Sequence, residues 1–299
     1  MASNEWKIPK GFDANQRKAT KKIFDALRNS RQVITPEMQR MLTQGNFDGF
    51  LKLVDYEVLA GVFSAVTPIL SAQALMTGLS TFTDAGISSR LIFDAIDARA
   101  VQYAQEATAR LVTDITAELR ESIRGTIASA TRGELTYKQA AQQIRTNLPL
   151  TPRDAGAVSS YQERQTARLI EEGMTQAKAE AKAALLAEKY ADKLTRARAE
   201  TISRTEIARA ASQGRYEGWA EGVDAGYIDA ASNKEWIAES DACDICAPMD
   251  GVLVPWNEAF ESGDDMPPAH PNCRCAAALL PPDYGDSAFT PNAIPLESE

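Results

Sequence analysis

All four cysteines of the chain lie within 33 residues, as Cys243, Cys246, Cys273 and Cys275, and the only histidine, His270, stands among them. Chance rarely gathers these residue types so closely, so the group reads as a constellation able to hold a metal ion. Cys243-Asp244-Ile245-Cys246 is a C-x-x-C turn, which lets two thiolates converge on one point. His270-Pro271-Asn272-Cys273-Arg274-Cys275 supplies the other half, with 23 residues between Cys246 and His270. Zinc takes four ligands of this softness in a tetrahedron, so five candidates compete for four positions. One of His270, Cys273 and Cys275 is then left beside the ion, and the favoured set is Cys243, Cys246, His270 and Cys275. A structural zinc site is the leading reading, because four such ligands close the coordination sphere and leave no open catalytic position. A disulfide or metal-free thiols would suit a particle that matures outside the cell. A redox-active C-x-x-C lacks the surrounding βαβ pattern, and a catalytic zinc lacks a visible open position.

A single histidine narrows the remaining chemistry. Ser-His-Asp triads, two-histidine metal hydrolases and H-E-x-x-H proteases each demand histidines that are absent or already committed. The sequence contains no G-x-S-x-G, no phosphate-binding G-x-x-x-x-G-K-[ST] and no G-x-G-x-x-G. The 41 acidic residues allow carboxylate chemistry arithmetically, but nothing singles out a pair. No enzymatic activity is expected.

Charge divides the chain. Residues 1–215 carry 30 basic and 24 acidic side chains, whereas residues 216–299 carry 2 basic and 17 acidic ones, within an overall net charge of −9. The acidic C-terminal part would repel a phosphate backbone, which disfavours a DNA-reading zinc module. The basic start keeps a DNA contact open, with Lys18, Lys21 and Lys22 as its residues. An acidic protein ring is the other partner such a face would suit. A solvated helix face is the plainer reading. Met1 to Lys10 shows no signal-peptide pattern. Residues 58–83 form 26 uncharged positions, long enough to cross a bilayer. Ser64, Thr67, Ser71, Gln73, Thr77 and a central Pro68 argue instead for a buried, proline-interrupted helix pair, with a membrane span as the alternative reading of the same stretch.

The elements that must hold the cluster are mostly helices. Thr35-Pro36-Glu37 and Thr151-Pro152-Arg153-Asp154 are helix starts, each with a threonine cap, a proline next and an acid in the first turn. Thr136 and Gln139 form a T-x-x-Q capping box. Leu111, Ile115, Leu119 and Ile123 repeat at helical spacing and mark a packing face, with Gly125 expected to interrupt it. From residue 151 to Gly214 the chain is Ala-rich and charged with both signs, which fits long helices packed closely, as in an oligomer. After Gly214 glycines recur and strand-like pieces appear at residues 234–238, 251–254 and 274–280. Trp236, on the first of these, is expected in a core. The fold class is therefore mainly α: extended helical N-terminal and middle regions, then a small α+β Cys/His module with a short antiparallel sheet. The expected divisions are 1–150, 151–215, 216–280 and an extended tail at 281–299.

At this point the sequence resembles a known family, the phage head-morphogenesis proteins of the Mu-F-like minor head type. Arg198-Ala199-Glu200-Thr201-Ile202-Ser203-Arg204-Thr205-Glu206 is similar to the family's R-A-x-x-I-[AS]-R-T-E helix. Lys234-Glu235-Trp236 matches its K-x-W strand, and Asp241 to Cys246 its D-x-x-C-x-x-C knuckle. Pro267 to Cys275 matches P-P-x-H-P-N-C-R-C. The resemblance covers roughly residues 150–280 and implies a minor capsid protein of a tailed phage. It would act in head assembly at or near the portal, and in DNA retention or ejection. Its partners would be the portal protein, the major capsid or scaffolding protein and packaged DNA. Its place would be the head interior or portal vertex, with the host cytoplasm during assembly. The alternatives are a head maturation protease or a transient DNA-binding assembly factor. With nineteen residues after Leu280, the toxin or ADP-ribosylating domains that some relatives carry are not expected here. Arg198, Arg204, Arg209 and Arg215 could form a basic ridge toward DNA or an acidic partner, against the plainer expectation of ordinary pairing with acids.

Overall fold

A computed structural model describes residues 11–55, 63–84 and 93–282. Its helices are α1 (Phe12–Asn29), α2 (Pro36–Thr43), α3 (Phe47–Leu53), α4 (Thr67–Asp84), α5 (Phe93–Thr131), α6 (Tyr137–Asn147), α7 (Pro152–Glu171) and α8 (Gln176–Asp224). Three strands follow, β1 (Asn233–Ile237), β2 (Leu253–Pro255) and β3 (Ala276–Leu280). The mainly α class with a small C-terminal sheet is thus what forms.

Local chemistry starts the helices where the sequence predicts. Thr35 accepts the Met38 N–H at the head of α2, and Thr151 accepts the Asp154 N–H at the head of α7. Thr136 and Gln139 complete their capping box at α6. Leu111, Ile115, Leu119 and Ile123 all turn into the core from α5. Gly125 does not interrupt α5, which continues to Thr131 with open space where a side chain would stand. One glycine costs a helix only ~1 kcal/mol, less than the packing on either side of it returns.

α8, 49 residues long, is the spine. α1 crosses it, with Thr20 Oγ1 and Ser203 Oγ 2.6 Å apart, Arg196 stacked 4.5 Å over the Phe24 ring, and Arg31 paired to Asp192 at 2.6 Å. α4 lies still closer. A Cβ on Gly214 would stand 2.0 Å from the Ala74 carbonyl oxygen, and one on Gly218 2.8 Å from that of Gly78. The glycines that read as the end of helical character are therefore where two helix backbones touch. The 215/216 division falls inside α8, which runs on to Asp224. The small residues of its first half, Ala179, Ala183, Ala187 and Ala191, are buried against α7 of the same chain. The close helix–helix packing that these small residues predict is thus made within the chain.

The uncharged stretch resolves in part. Residues 58–62 lie outside the described residues, Phe63 and Val66 are buried, and Pro68 stands in the first turn of α4 rather than mid-helix. Among the described residues, no helix is long and apolar enough to cross a membrane. The tail beyond residue 282 is likewise outside the described residues.

Candidate metal centre

β1 is the middle strand, antiparallel to β2 and β3, with Glu235 opposite Leu253 and Trp236 opposite Ala277. Alternation sends Lys234 and Trp236 to the same buried face. Trp236 is fully buried, as expected, and meets Phe260 edge-on at 5.0 Å. Cys246, Met249 and Cys273 complete this small core. Few apolar side chains serve here, and two of the buried groups are thiols.

Two turns bring the donors together. In the first, the Cys246 and Ala247 N–H groups donate to the Cys243 carbonyl at 3.0 and 2.9 Å. In the second, the Cys273 N–H donates to the His270 carbonyl at 3.1 Å. His270 Nε2 then lies 3.1 Å from Cys243 Sγ and 3.2 Å from Cys246 Sγ, while Cys246 and Cys273 sulfurs are 3.7 Å apart. The donors form two triads, Cys243–Cys246–His270 and Cys246–Cys273–Cys275, each with all atoms within 4.8 Å of one another. All five predicted ligands are gathered, and Cys246 belongs to both groups. No four of the five donors all lie within that distance of one another, so neither the favoured quartet with Cys275 nor the one with Cys273 in its place closes by that measure.

The donor chemistry fits a zinc-type ion. His270 Nδ1–H donates to the Pro271 carbonyl at 2.9 Å, which fixes the tautomer and leaves Nε2 as a bare lone pair among the sulfurs. A tetrahedron with Zn–S bonds of ~2.3 Å has edges of about 3.8 Å, close to the Cys246–Cys273 spacing. The backbone N–H groups of Cys246 and Ile245 hold the exposed Cys243 thiol below its ordinary range. Burial pushes the Cys246 and Cys275 thiols up. Neighbouring sulfurs that resist ionising together are what a divalent cation reconciles, since it deprotonates the thiols it binds. The indole N–H of Trp236 is buried without a hydrogen-bond partner among the described residues. The group it can serve is the Cys275 sulfur, whose ionised form it favours.

The second turn is docked onto α8. Asn272 takes the left-handed conformation, φ 61°, which asparagine tolerates better than most residues. Its backbone N–H donates to Thr205 Oγ1 at 3.1 Å and its side-chain amide to Thr201 Oγ1 at 3.3 Å. Arg215 adds a bond to the Ala277 carbonyl at 2.9 Å, tying β3 to the helix. Asp241 and Arg274 pair across the two cysteine turns. The two threonines lie inside the R-A-x-x-I-S-R-T-E stretch, yet sequence reading assigned them no role. Their spacing of four, one helical turn, was the available signal. A cleft of about 550 Å³ opens between α1, α8 and the module, with Arg204, Arg274 and Cys275 on its wall.

Lys234 was also missed. Its ammonium has no hydrogen-bond partner among the described residues and lies 5.7 Å from the Tyr216 ring centre and 5.3 Å from that of Phe260. Burial lowers its pKa, with the negative charge of Asp265 opposing.

The predicted cationic contacts separate. Lys18, Lys21 and Lys22 are exposed on the outer side of α1, and Arg204 is exposed at the cleft. Arg209 is half exposed and pairs at 2.8 Å with Glu206, whose carboxyl burial raises. Arg198 is not on that surface. It is buried, donating to the Pro149 carbonyl at 2.9 Å and pairing with Glu118. The four arginines thus do not form one ridge, because α8 turns Arg198 toward α5 and the α6–α7 junction.

A family model described as Phage Mu protein F like protein matches residues 121–278, from within α5 to within β3. The chain belongs to this family of phage head-morphogenesis proteins. The match starts well upstream of the motif region, taking in the end of α5 and all of α6. Searches of curated proteins and of solved structures found no match.

Proposed function

We propose that this chain is a minor head protein of a tailed phage, acting without catalysis at the portal vertex as the head is built. The observation that carries this reading is family membership across α6, α7, α8 and the whole Cys/His module. The geometry supports a structural rather than a catalytic centre. Four of the five candidate ligands come from two tight turns and the fifth, Cys275, follows the second, while the only histidine has its second nitrogen committed to Pro271. Zinc, held by this cluster, would supply the module with folding energy that its small apolar core lacks. The helical body would face the portal protein and the major capsid or scaffolding protein. A head maturation protease would need a histidine that this cluster already uses.

Mass spectrometry of purified, DNA-filled particles tests the reading. The expected result is the uncleaved chain at a few to a few tens of copies per particle, co-purifying with the portal protein. Absence from mature particles, or presence only as fragments, would overturn it in favour of a transient assembly or processing factor.

The exposed row Arg17, Lys18, Lys21 and Lys22 favours a second contact, with packaged DNA. Neutralising phosphates releases counterions, so such binding weakens steeply with salt. Changing Lys18, Lys21 and Lys22 together to glutamate should abolish salt-dependent binding of the full chain to duplex DNA. Unchanged binding would remove DNA from its partners.

A further inference from the structure

Five donors for four positions is a question that residue spacing leaves open and that the side-chain arrangement answers. Three observations bear on it. The first is the pair of turns: Cys243 to Cys246 and His270 to Cys273 are both i, i+3 pairs, each closed by an N–H···O bond between the two candidate ligands. Each turn thus presents two donors toward the same side. The second is the set of direct contacts, which runs from Cys243 to His270 (3.1 Å), from His270 to Cys246 (3.2 Å) and from Cys246 to Cys273 (3.7 Å). The third concerns Cys275, which lies past the second turn, one residue before β3. The pairing of Ala276 with Ile237 holds it at the entrance of β3; it lies within 4.8 Å of Cys246 and Cys273, and it is partly exposed on the wall of the 550 Å³ cleft that Cys273 also lines. Cys273, by contrast, is only 4% exposed.

We infer that the ion is held by Cys243, Cys246, His270 and Cys273, three thiolates and one imidazole, and that Cys275 stays outside as a free thiol facing the cleft. This rests on the proposal that the module binds a zinc-type metal, and it replaces the quartet that spacing alone favoured. It also gives the module a definite mechanical connection. Asn272, between ligands His270 and Cys273, is the residue bonded to Thr201 and Thr205. The metal-holding turn and the turn that grips α8 are therefore the same four residues. Loading the site orders the grip, and losing the metal releases it.

Cobalt(II) reports the ligand set, because near-ultraviolet sulfur-to-cobalt absorption scales with the number of bound thiolates. The full chain, kept reduced, should bind one cobalt per molecule with an intensity for three thiolates. Cys275→Ser should leave that intensity unchanged, whereas Cys273→Ser should cut it by about a third or abolish binding. A second readout needs no variant to fold: iodoacetamide applied to the zinc-loaded wild-type chain should modify Cys275 and spare the other three cysteines. Loss of one thiolate in Cys275→Ser with full intensity in Cys273→Ser would overturn the assignment, as would two cobalt ions per chain sharing Cys246. Failure of the wild-type chain to bind cobalt or zinc at all would instead overturn the metal reading on which the assignment rests.

Discussion

The helical body and the Cys/His module are built on opposite principles. Around α8 the body buries a continuous apolar core, from Ile23 and Leu27 of α1 through Leu70 of α4 and Leu119 of α5 to Ile207 of α8. Its closest helix contact is made by leaving atoms out, at Gly214 and Gly218. The module's buried cluster is small, Trp236, Cys246, Met249, Phe260 and Cys273, beside an ammonium with no hydrogen-bond partner among the described residues. Hydrophobic burial scales with apolar area, so the body has ample driving force from its own side chains and the module does not. The body should therefore be sensitive to volume and the module to ligands.

Metal removal tests that contrast most strongly. Structural zinc in small modules contributes on the order of 10 kcal/mol. Chelation, or Cys246→Ser, is expected to open residues 225–280 to protease while the helices α1 to α8 stay resistant. A module that remains resistant after exhaustive chelation would dissolve the distinction.

The converse perturbation is Gly214→Leu. Its side chain would collide with the backbone of α4 rather than with a movable side chain, and overpacking of this kind costs up to about 3 kcal/mol. The melting temperature of the body should fall, with the cobalt spectrum of the module unchanged. A spectrum altered in step with the melting curve would mean that the two regions fold as one unit.

Lys234 gives a smaller, pH-dependent effect. Burial depresses its folded-state pKa below the unfolded value, so at high pH the unfolded chain binds more protons than the folded one. Stability from this group should therefore rise as pH climbs through the folded pKa toward the unfolded value of about 10.4. Lys234→Met should remove that rise in pH-dependent unfolding curves. A retained rise would assign it to another group. Least of all is expected from Arg274→Ala, because the pair with Asp241 lies in open solvent. A clear drop in melting temperature there would show that the link between the two cysteine turns carries more than surface charge.

What could be read from the sequence follows the range of the interactions involved. Thr35, Thr136 and Thr151 cap their helices through bonds that span three residues, and such contacts are visible in any local window. The three strands fall within two residues of their predicted places. The Cys/His cluster was visible because the residue types are rare and close in sequence. Gly214, Gly218 and Arg198 were misjudged for one reason: their partners, Ala74, Gly78, Glu118 and Pro149, lie far away along the chain. A glycine that ends a helix and one that admits a second helix look the same in sequence.

By itself the sequence determined the helical class, the caps, the packing stripe of α5, the five candidate ligands and the resemblance to head-morphogenesis proteins. These depend on local backbone chemistry, periodicity and residue type. Tertiary structure alone decided that α8 runs on through its glycines, because only a backbone pressed against them reveals the need for a missing side chain. It also decided that Arg198 is an internal tie and that Asn272 grips Thr201 and Thr205. The choice between Cys273 and Cys275 belongs with these: two thiols separated by one residue have equal claims by spacing, and only the turn, the strand and their burial distinguish them.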